Sequence, residues 1–366
     1  MTTDNQVQTV DSNGSQEYIL ETNKELKINL NFHNNNIISN IFSNLSLYEN
    51  LKNILTVNNK TYMLKYCNKL NDTDFYIAYF EKKMDTSIND TSSNDISDKN
   101  FVPISPWHDI NLINDDNTYN MIVEIPKYNY MKMEINLKTP YNVIKQDTKK
   151  GKLRYYHNSI YWNYGALPKT YEYPKHIYKC QIDNKDNSNT IYFTGDNDPL
   201  DVVDIGTDTL KMGQIVPVKI LGAFTLIDEG ELDWKIIAIN KYDKNFNEIN
   251  NLDDVEKFYP HTINMLMEWF RSYKMADSKK LNIISNRLYN KTEAIKLINK
   301  THEYYSEFLR DKKNRKSQTE DSSNNNEVID FKNNEKLLKE NIINDLEIVY
   351  YKPNQSYKVN EQIWTH

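Results

Sequence analysis

Cysteine is nearly missing from this 366-residue chain: Cys67 and Cys180 are its two, and neither belongs to a CxxC pair. That excludes a disulfide framework and fits small, reduced residues in a cytosolic protein. The seven histidines fall at no metal-ligand spacing and HExxH is absent, which argues against a zinc site. GxxxxGK[ST] and GxGxxG are absent too, so neither a P-loop nor a Rossmann site is on offer. No apolar run reaches the length of a membrane helix. The N-terminus, MTTDNQVQTVDSNGSQ, has no apolar h-region and no Lys or Arg, so neither a secretory signal nor a transit peptide is expected there. These absences predict a cytoplasmic protein with no membrane partner. Positive charge is also in deficit: 45 Lys and Arg against 51 Asp and Glu leave a net charge of -6. Bulk attraction to nucleic acid or anionic lipid is thereby excluded, and an anionic ligand must be met by a local basic cluster or by metal ions.

What is present suits a packed core with polar additions. Hydrophobic residues make up 39% and charged residues 26%, while a mean hydropathy of -0.77 calls for polar segments attached to that core. Residues 1–24 are polar and read as disordered, MDTSINDTSSNDISDKN (84–100) as a surface loop, and 312–336 as a polar linker after the last strong helix. Runs rich in β-branched and aromatic residues predict strands at 74–80, 120–126, 132–137, 191–195, 200–206, 215–227 and 234–239. Apolar residues at helical spacing follow, in HTINMLMEWFRSYK (Ile263, Leu266, Met267, Phe270) and in KTEAIKLINKTHEYYSEFLRDK (Ile295, Ile298, His302, Tyr305, Leu309). NIISNIFSNLSLYENLKNIL (36–55) reads as a further amphipathic helix. The expectation is a mainly β fold with packed helices, α+β in class: a β-barrel with helices after it, in one domain because no linker separates the two.

Acids are crowded in GDNDPLDVVDIG (195–206), which sets Asp196, Asp198, Asp201 and Asp204 around one proline. Turn punctuation is the plain account, since Asp and Asp-Pro favour turns. An EF-hand loop fails, because Asp201 stands where its Gly belongs and no Glu closes it. The remaining account is a site for hard divalent cations, which prefer carboxylate oxygens and would remove the mutual repulsion. LIDEGELDWKIIAI adds Asp228, Glu229, Glu231 and Asp233, either as a charged hairpin tip or as the other side of a metal cage. Glu134 lies two residues from Lys132 in another strand. Lys132, Arg154, Tyr164, Lys235, Tyr273 and Lys274 are near these acids in sequence. Carboxylates for metal with Lys, Arg and Tyr for oxyanions is the division of labour that phosphoryl transfer requires.

In chain order, WHDINL, NMIVEIP, KMEIN, QDTKKGKLRYY, NYGALPKTYE, GDNDPLDVVDIG, LGAFTLIDEGELDWKIIAI, DDVEKFYP and EWFRSYK resemble the eukaryotic type of the soluble family I inorganic pyrophosphatases, over about 64–310. The resemblance implies a five-stranded, OB-like closed barrel with C-terminal helices, and Mg²⁺-dependent hydrolysis of pyrophosphate to two phosphates, with Mn²⁺ as a substitute and Ca²⁺ as an inhibitor. By motif it implies Asp196, Asp201 and Asp233 as the tight metal ligands, Asp201 bridging two ions, with Asp228 and Glu134 serving ions that arrive with substrate. Asp198 would deprotonate the attacking water; Lys132, Arg154, Tyr164, Lys235, Tyr273 and Lys274 would contact phosphates; Glu124 would support charge balance. It implies a homodimer and a core at 61–311, with 1–60 an N-terminal extension and 312–366 a linker and tail. Position 160, where the family carries a tyrosine, holds isoleucine, and Tyr161 is the candidate replacement one residue on. The competing expectation is a barrel without catalysis, serving as a binding or scaffold module; a nucleic-acid ligand fits poorly with the acids and the net charge.

Overall fold

The structure, a computed structural model, describes residues 7–10, 16–19, 52–83, 100–184, 187–275, 281–285, 287–319 and 342–351. The chain divides into two units, Met1–Glu49 and Asn50–His366. In the first, β1 (Val7–Val10) and β2 (Gln16–Ile19) pair antiparallel. The rest of the tract expected to be disordered, and most of the helix expected at 36–55, lie outside the described residues. The end of that predicted helix is corrected: Lys52–Val57 is strand β3, paired with β4 (Lys60–Cys67). The cause is the turn between them, where Asn58 and Asn59 both take positive φ (48° and 62°). A two-residue type I′ turn demands this, and asparagine tolerates it.

Five strands of the second unit pair in a closed circuit. They are β7 (Tyr119–Ile125), β12 (Asn163–Ala166), β15 (Asp201–Asp204), β16 (Ile215–Asp228) and β17 (Glu231–Asn240). The order is β17–β15–β12–β7–β16 and back to β17; β15 and β17 run parallel and the other neighbours antiparallel. Closure leaves none of the five with an open edge. Every residue of β7 is buried, as are nine of the ten in β17, which is how strands covered on both faces read. β12 was not among the predicted strands. Its Gly165 explains how so short a segment fits, because a Cβ there would stand 1.9 Å from the Ile122 carbonyl oxygen. The pairing with β7 shifts register between Tyr164 and Gly165, and such a bulge re-aims the neighbouring side chain.

A second sheet runs β3–β4–β5–β9–β8, with β6 also paired to β5; here β5 is Tyr76–Lys82, β6 Phe101–Ile104, β8 Met133–Ile135 and β9 Ile144–Gln146. A third joins β13 (Ile177–Asn184) to β14 (Asn187–Thr194) and β20 (Ile342–Tyr351). β10 (Thr148–Lys149) and β11 (Lys152–Leu153) form a hairpin, and β18 (Ile283–Ile284) and β19 (Tyr289–Asn290) pair with β16. Among the described residues three α-helices follow the ring: α1 (Leu252–Phe258), α2 (Thr262–Ser272) and α3 (Lys291–Thr319). α2 buries Ile263, Leu266, Trp269 and Phe270, three of them on the predicted stripe. α3 packs on β16 and buries Ala294, Leu297 and Ile298. It also runs to Thr319, into the tract read as linker, and β20 lies where a tail was expected.

Candidate active site

Residue 201 faces residue 235 across the parallel pairing of β15 and β17, so Asp201 and Lys235 meet, with Nζ to Oδ2 at 2.5 Å. Asp233 precedes Lys235 by two positions and therefore shares its face of β17; it too pairs with the Lys235 ammonium. Tyr164, re-aimed by the bulge in β12, donates its hydroxyl to Asp201. Asp196 and Asp198 lie in the turn that enters β15, where the Asp198 N–H donates to Asp196 Oδ1 at 3.0 Å. The turn is pinned from outside: Tyr171 donates to the Asn197 side chain at 2.5 Å, and Leu200 N–H to Thr170 Oγ1 at 2.9 Å.

The same alternation places Lys132 and Glu134 together beside β8, 2.6 Å apart. Glu124 of β7 is buried and accepts the Ile135 N–H at 2.7 Å, which ties β8 to the ring. Arg154 follows the β10–β11 hairpin and pairs with Asp147, which also holds Lys132 at 3.2 Å. At the end of α2, Tyr273 donates to Asp228 at 3.1 Å, and Lys274 pairs with Asp228 and, at 3.4 Å, with Glu229.

One cavity of about 350 Å³ collects all of these groups: Glu124, Lys132, Glu134, Arg154, Tyr164, Asp196, Asp198, Asp201, Asp228, Asp233, Lys235, Tyr273 and Lys274 line it. Every residue given a metal, water-activating, phosphate-contacting or supporting role from the sequence is thus in one place, and the candidate Tyr161 is not. Asp204 and Tyr161 lie elsewhere. Asp204 belongs to the same acidic run but is fully buried away from the cavity, and its two oxygens accept from Gly206 N, Asn240 N, Asn163 Nδ2 and Asn240 Nδ2 at 2.8–2.9 Å. Residues 201 and 204 are three apart on a strand, so their side chains point to opposite faces. Tyr161 does not line this cavity and is 44% exposed, while Ile160 is buried, so neither supplies a phenol to the site.

Sequence reasoning missed Glu172, Asp147 and Tyr156. Glu172 stands at the end of the quoted stretch NYGALPKTYE and is wholly buried. One carboxylate oxygen from each of Glu172, Asp196 and Asp233 comes within 4.8 Å of the others. Glu172 Oε2 has no hydrogen-bond partner, which is costly for a buried carboxyl. A buried carboxyl with one unbonded oxygen, grouped with two other carboxyls, fits a hard cation: the donor set is all oxygen and all anionic when ionised.

The charges of this site cannot stand unaided. Burial, reinforced by Asp233 and Asp198, raises the affinity of Asp196 for a proton well above the usual carboxylate range; burial and Asp196 do the same to Glu172. Asp198 is pushed up to about 7 by burial together with Glu134 and Asp201. Burial lifts Asp233 to about 6 even though Lys235 opposes it. Burial would lower Lys235, but Asp201 and Asp233 hold it firmly charged. Carboxylates on the acidic side outnumber the one ammonium among them, Lys235, and the other side, with Lys132, Arg154 and Lys274, offers positive charge to an anion.

Acids that seek cations, facing bases that seek an anion across so small a space, define an enzyme class acting on small phosphorylated compounds through divalent ions. The family model "Inorganic pyrophosphatase" matches residues 121–306. A "Probable inorganic pyrophosphatase" of Plasmodium falciparum is 60% identical over 361 residues, covering 95% of this chain and 91% of that one. An inorganic pyrophosphatase of Homo sapiens is 41% identical over 220 residues, 58% of this chain and 73% of that one. The crystal structure of the type I inorganic pyrophosphatase from P. falciparum superposes with a TM-score of 0.68 at 65% identity, covering 82% of this chain and 90% of that one. That from Toxoplasma gondii gives 0.57 at 35%, covering 68% and 99%. The chain belongs to the family I inorganic pyrophosphatases.

Proposed function

We propose that this chain hydrolyses inorganic pyrophosphate to two phosphates with Mg²⁺ as cofactor. The observation that carries the reading is one cavity in which a crowd of carboxylates, more than Lys235 can balance, faces Lys132, Arg154 and Lys274. Asp196, Asp201 and Asp233, with Glu172 beside them, would hold ions tightly, and Asp228 and Glu134 would serve ions that enter with substrate; Mn²⁺ would fit the same oxygens. When bound, the ions supply positive charge to the substrate and make water acidic enough to react near neutral pH. Asp198 orients the attacking water and takes its proton, a task suited to a carboxyl already pushed up to about 7 by burial, Glu134 and Asp201. Lys132, Arg154, Lys235 and Lys274 neutralise the charge that grows on the departing phosphate, and Tyr164 and Tyr273 add donors. Asp147 keeps Lys132 and Arg154 at fixed positions, and Glu124 fixes β8 and contributes to the charge balance.

The five-strand ring supports an OB-like barrel as the architecture. We take 61–311 as the catalytic core, with 1–60 and 312–366 as additions, and the active form as a cytoplasmic homodimer; a light-scattering mass of one chain in solution removes the dimer. Purified protein with pyrophosphate and Mg²⁺ should release phosphate, stop when EDTA is added and resume when Mg²⁺ is restored. No Mg²⁺-stimulated release overturns the assignment.

A further inference from the structure

Three phenols line the cavity: Tyr156, Tyr164 and Tyr273. Two are engaged, Tyr164 by Asp201 and Tyr273 by Asp228. Among the described residues Tyr156 bonds through its backbone, N–H to the Tyr130 carbonyl at 2.6 Å, and its hydroxyl reaches no protein acceptor. The ring is nonetheless fixed. It stands edge-on to Trp269 and Tyr273, with centroids 5.3 and 5.5 Å away and planes at 82° and 84°. Rigid aromatic packing of this kind leaves little freedom to the hydroxyl beyond rotation of its proton.

Tyr156 also lines an adjoining cavity of about 330 Å³ together with Lys132, Lys149, Arg154 and Lys274, and no carboxylate lines that second cavity. Tyr156 therefore stands where the acid-lined space passes into an acid-free, cationic one. A phosphate at this junction would meet three lysines and an arginine but one uncommitted phenol. Position 160 cannot supply that group, being a buried isoleucine, and Tyr161 leans on Trp162 outside the cavity, ring to ring at 5.8 Å.

We propose that Tyr156 donates a hydrogen bond to the phosphate of bound pyrophosphate that lies at the acid-free end of the site. The inference rests on the pyrophosphatase reading for the identity of the substrate; it rests on the two cavities and the unpaired hydroxyl for the residue. Hydrogen bonds to charged groups are the stronger kind, so loss of one should be visible in binding.

Tyr156→Phe removes the hydroxyl and keeps the ring on Trp269 and Tyr273. The expected result is a KM for magnesium pyrophosphate about tenfold higher and a similar loss of affinity for inorganic phosphate by calorimetry with Mn²⁺ present, at unchanged Tm. Tyr161→Phe should match the parent in all three. Unaltered KM and phosphate affinity in Tyr156→Phe overturn the proposal, as does a fall in kcat alone, which would indicate packing. If the parent itself released no phosphate from pyrophosphate, the enzymatic reading would fail, and the phosphate titration would still decide for or against the Tyr156 contact.

Discussion

Asp198 and Asp201 are three residues apart, and their surroundings differ in the way the roles proposed for them require. Asp201 is tied down by the Tyr164 hydroxyl and the Lys235 ammonium, the posture of a ligand held in place. The Asp198 side chain lines the cavity from the mouth of the turn. Asparagine at either position keeps the shape and removes one negative charge. Asp201→Asn should lower turnover about 10³-fold and weaken Mn²⁺ binding about tenfold or more, since it deletes charge at a proposed metal ligand. Asp198→Asn should slow turnover about 10²- to 10⁴-fold, the usual contribution of a general base, with Mn²⁺ affinity nearly unchanged. Steady-state kinetics paired with calorimetry separates the two. Near-normal rates in both variants would show that the roles lie elsewhere.

At the scale of elements, Asp204 does for the ring what Asp201 does for the site. Its carboxylate bonds Asn163 at the start of β12 and Asn240 at the end of β17, joining both neighbours of β15. Asp204→Asn would turn an amide donor toward groups that are themselves donors, so it should cost about 3 kcal/mol in urea unfolding while KM stays that of the parent. α3 has its own anchor: His108 Nδ1 meets the Tyr305 hydroxyl at 2.9 Å beside Trp107, whose ring stacks on Phe308. Burial, with Lys312 and Lys169 against the nearby Asp109, pushes His108 down to about 4. Unfolded, it titrates near 6.5, so between about 6.5 and 4 the unfolded chain binds the extra proton. Stability contributed by the neutral ring is complete above about 6.5 and is lost as pH falls toward 4. Unfolding curves at pH 7 and pH 4.5 should therefore differ less in His108→Gln than in the parent, and an equal difference would place the proton elsewhere. The sequence made the long strands legible, because 120–126, 215–227 and 234–239 are apolar runs that need two covered faces. β12 was not legible: four residues containing a glycine carry no period, and pairing on both sides makes them a strand. Likewise Glu172 looks like any other acid until the fold brings it to Asp196 and Asp233, and Tyr156 gives no sign in the sequence that its hydroxyl is left over.

For the whole molecule, a net charge of -6 understates the electrostatic problem, because so many of the acids share one cavity. Holding them there works against folding unless protons or cations neutralise them. A ligand that binds the folded chain alone adds RT ln(1 + [L]/Kd), about 2.7 kcal/mol per ion at a hundredfold excess over Kd. At an unfolding entropy of about 2.1 cal/mol/K per residue, that corresponds to roughly 3 to 4 °C in Tm for a chain of this length. Mn²⁺ should therefore raise the melting temperature by at least about 3 °C in the absence of substrate. Glu172→Gln removes a charge from the trio whose oxygens lie within 4.8 Å, and it relieves part of the repulsion in the free protein. That variant should melt no lower than the parent without metal and gain less when Mn²⁺ is added. A parent whose Tm ignores millimolar Mn²⁺ would mean that this cluster is not a cation site, whatever its acids do for catalysis.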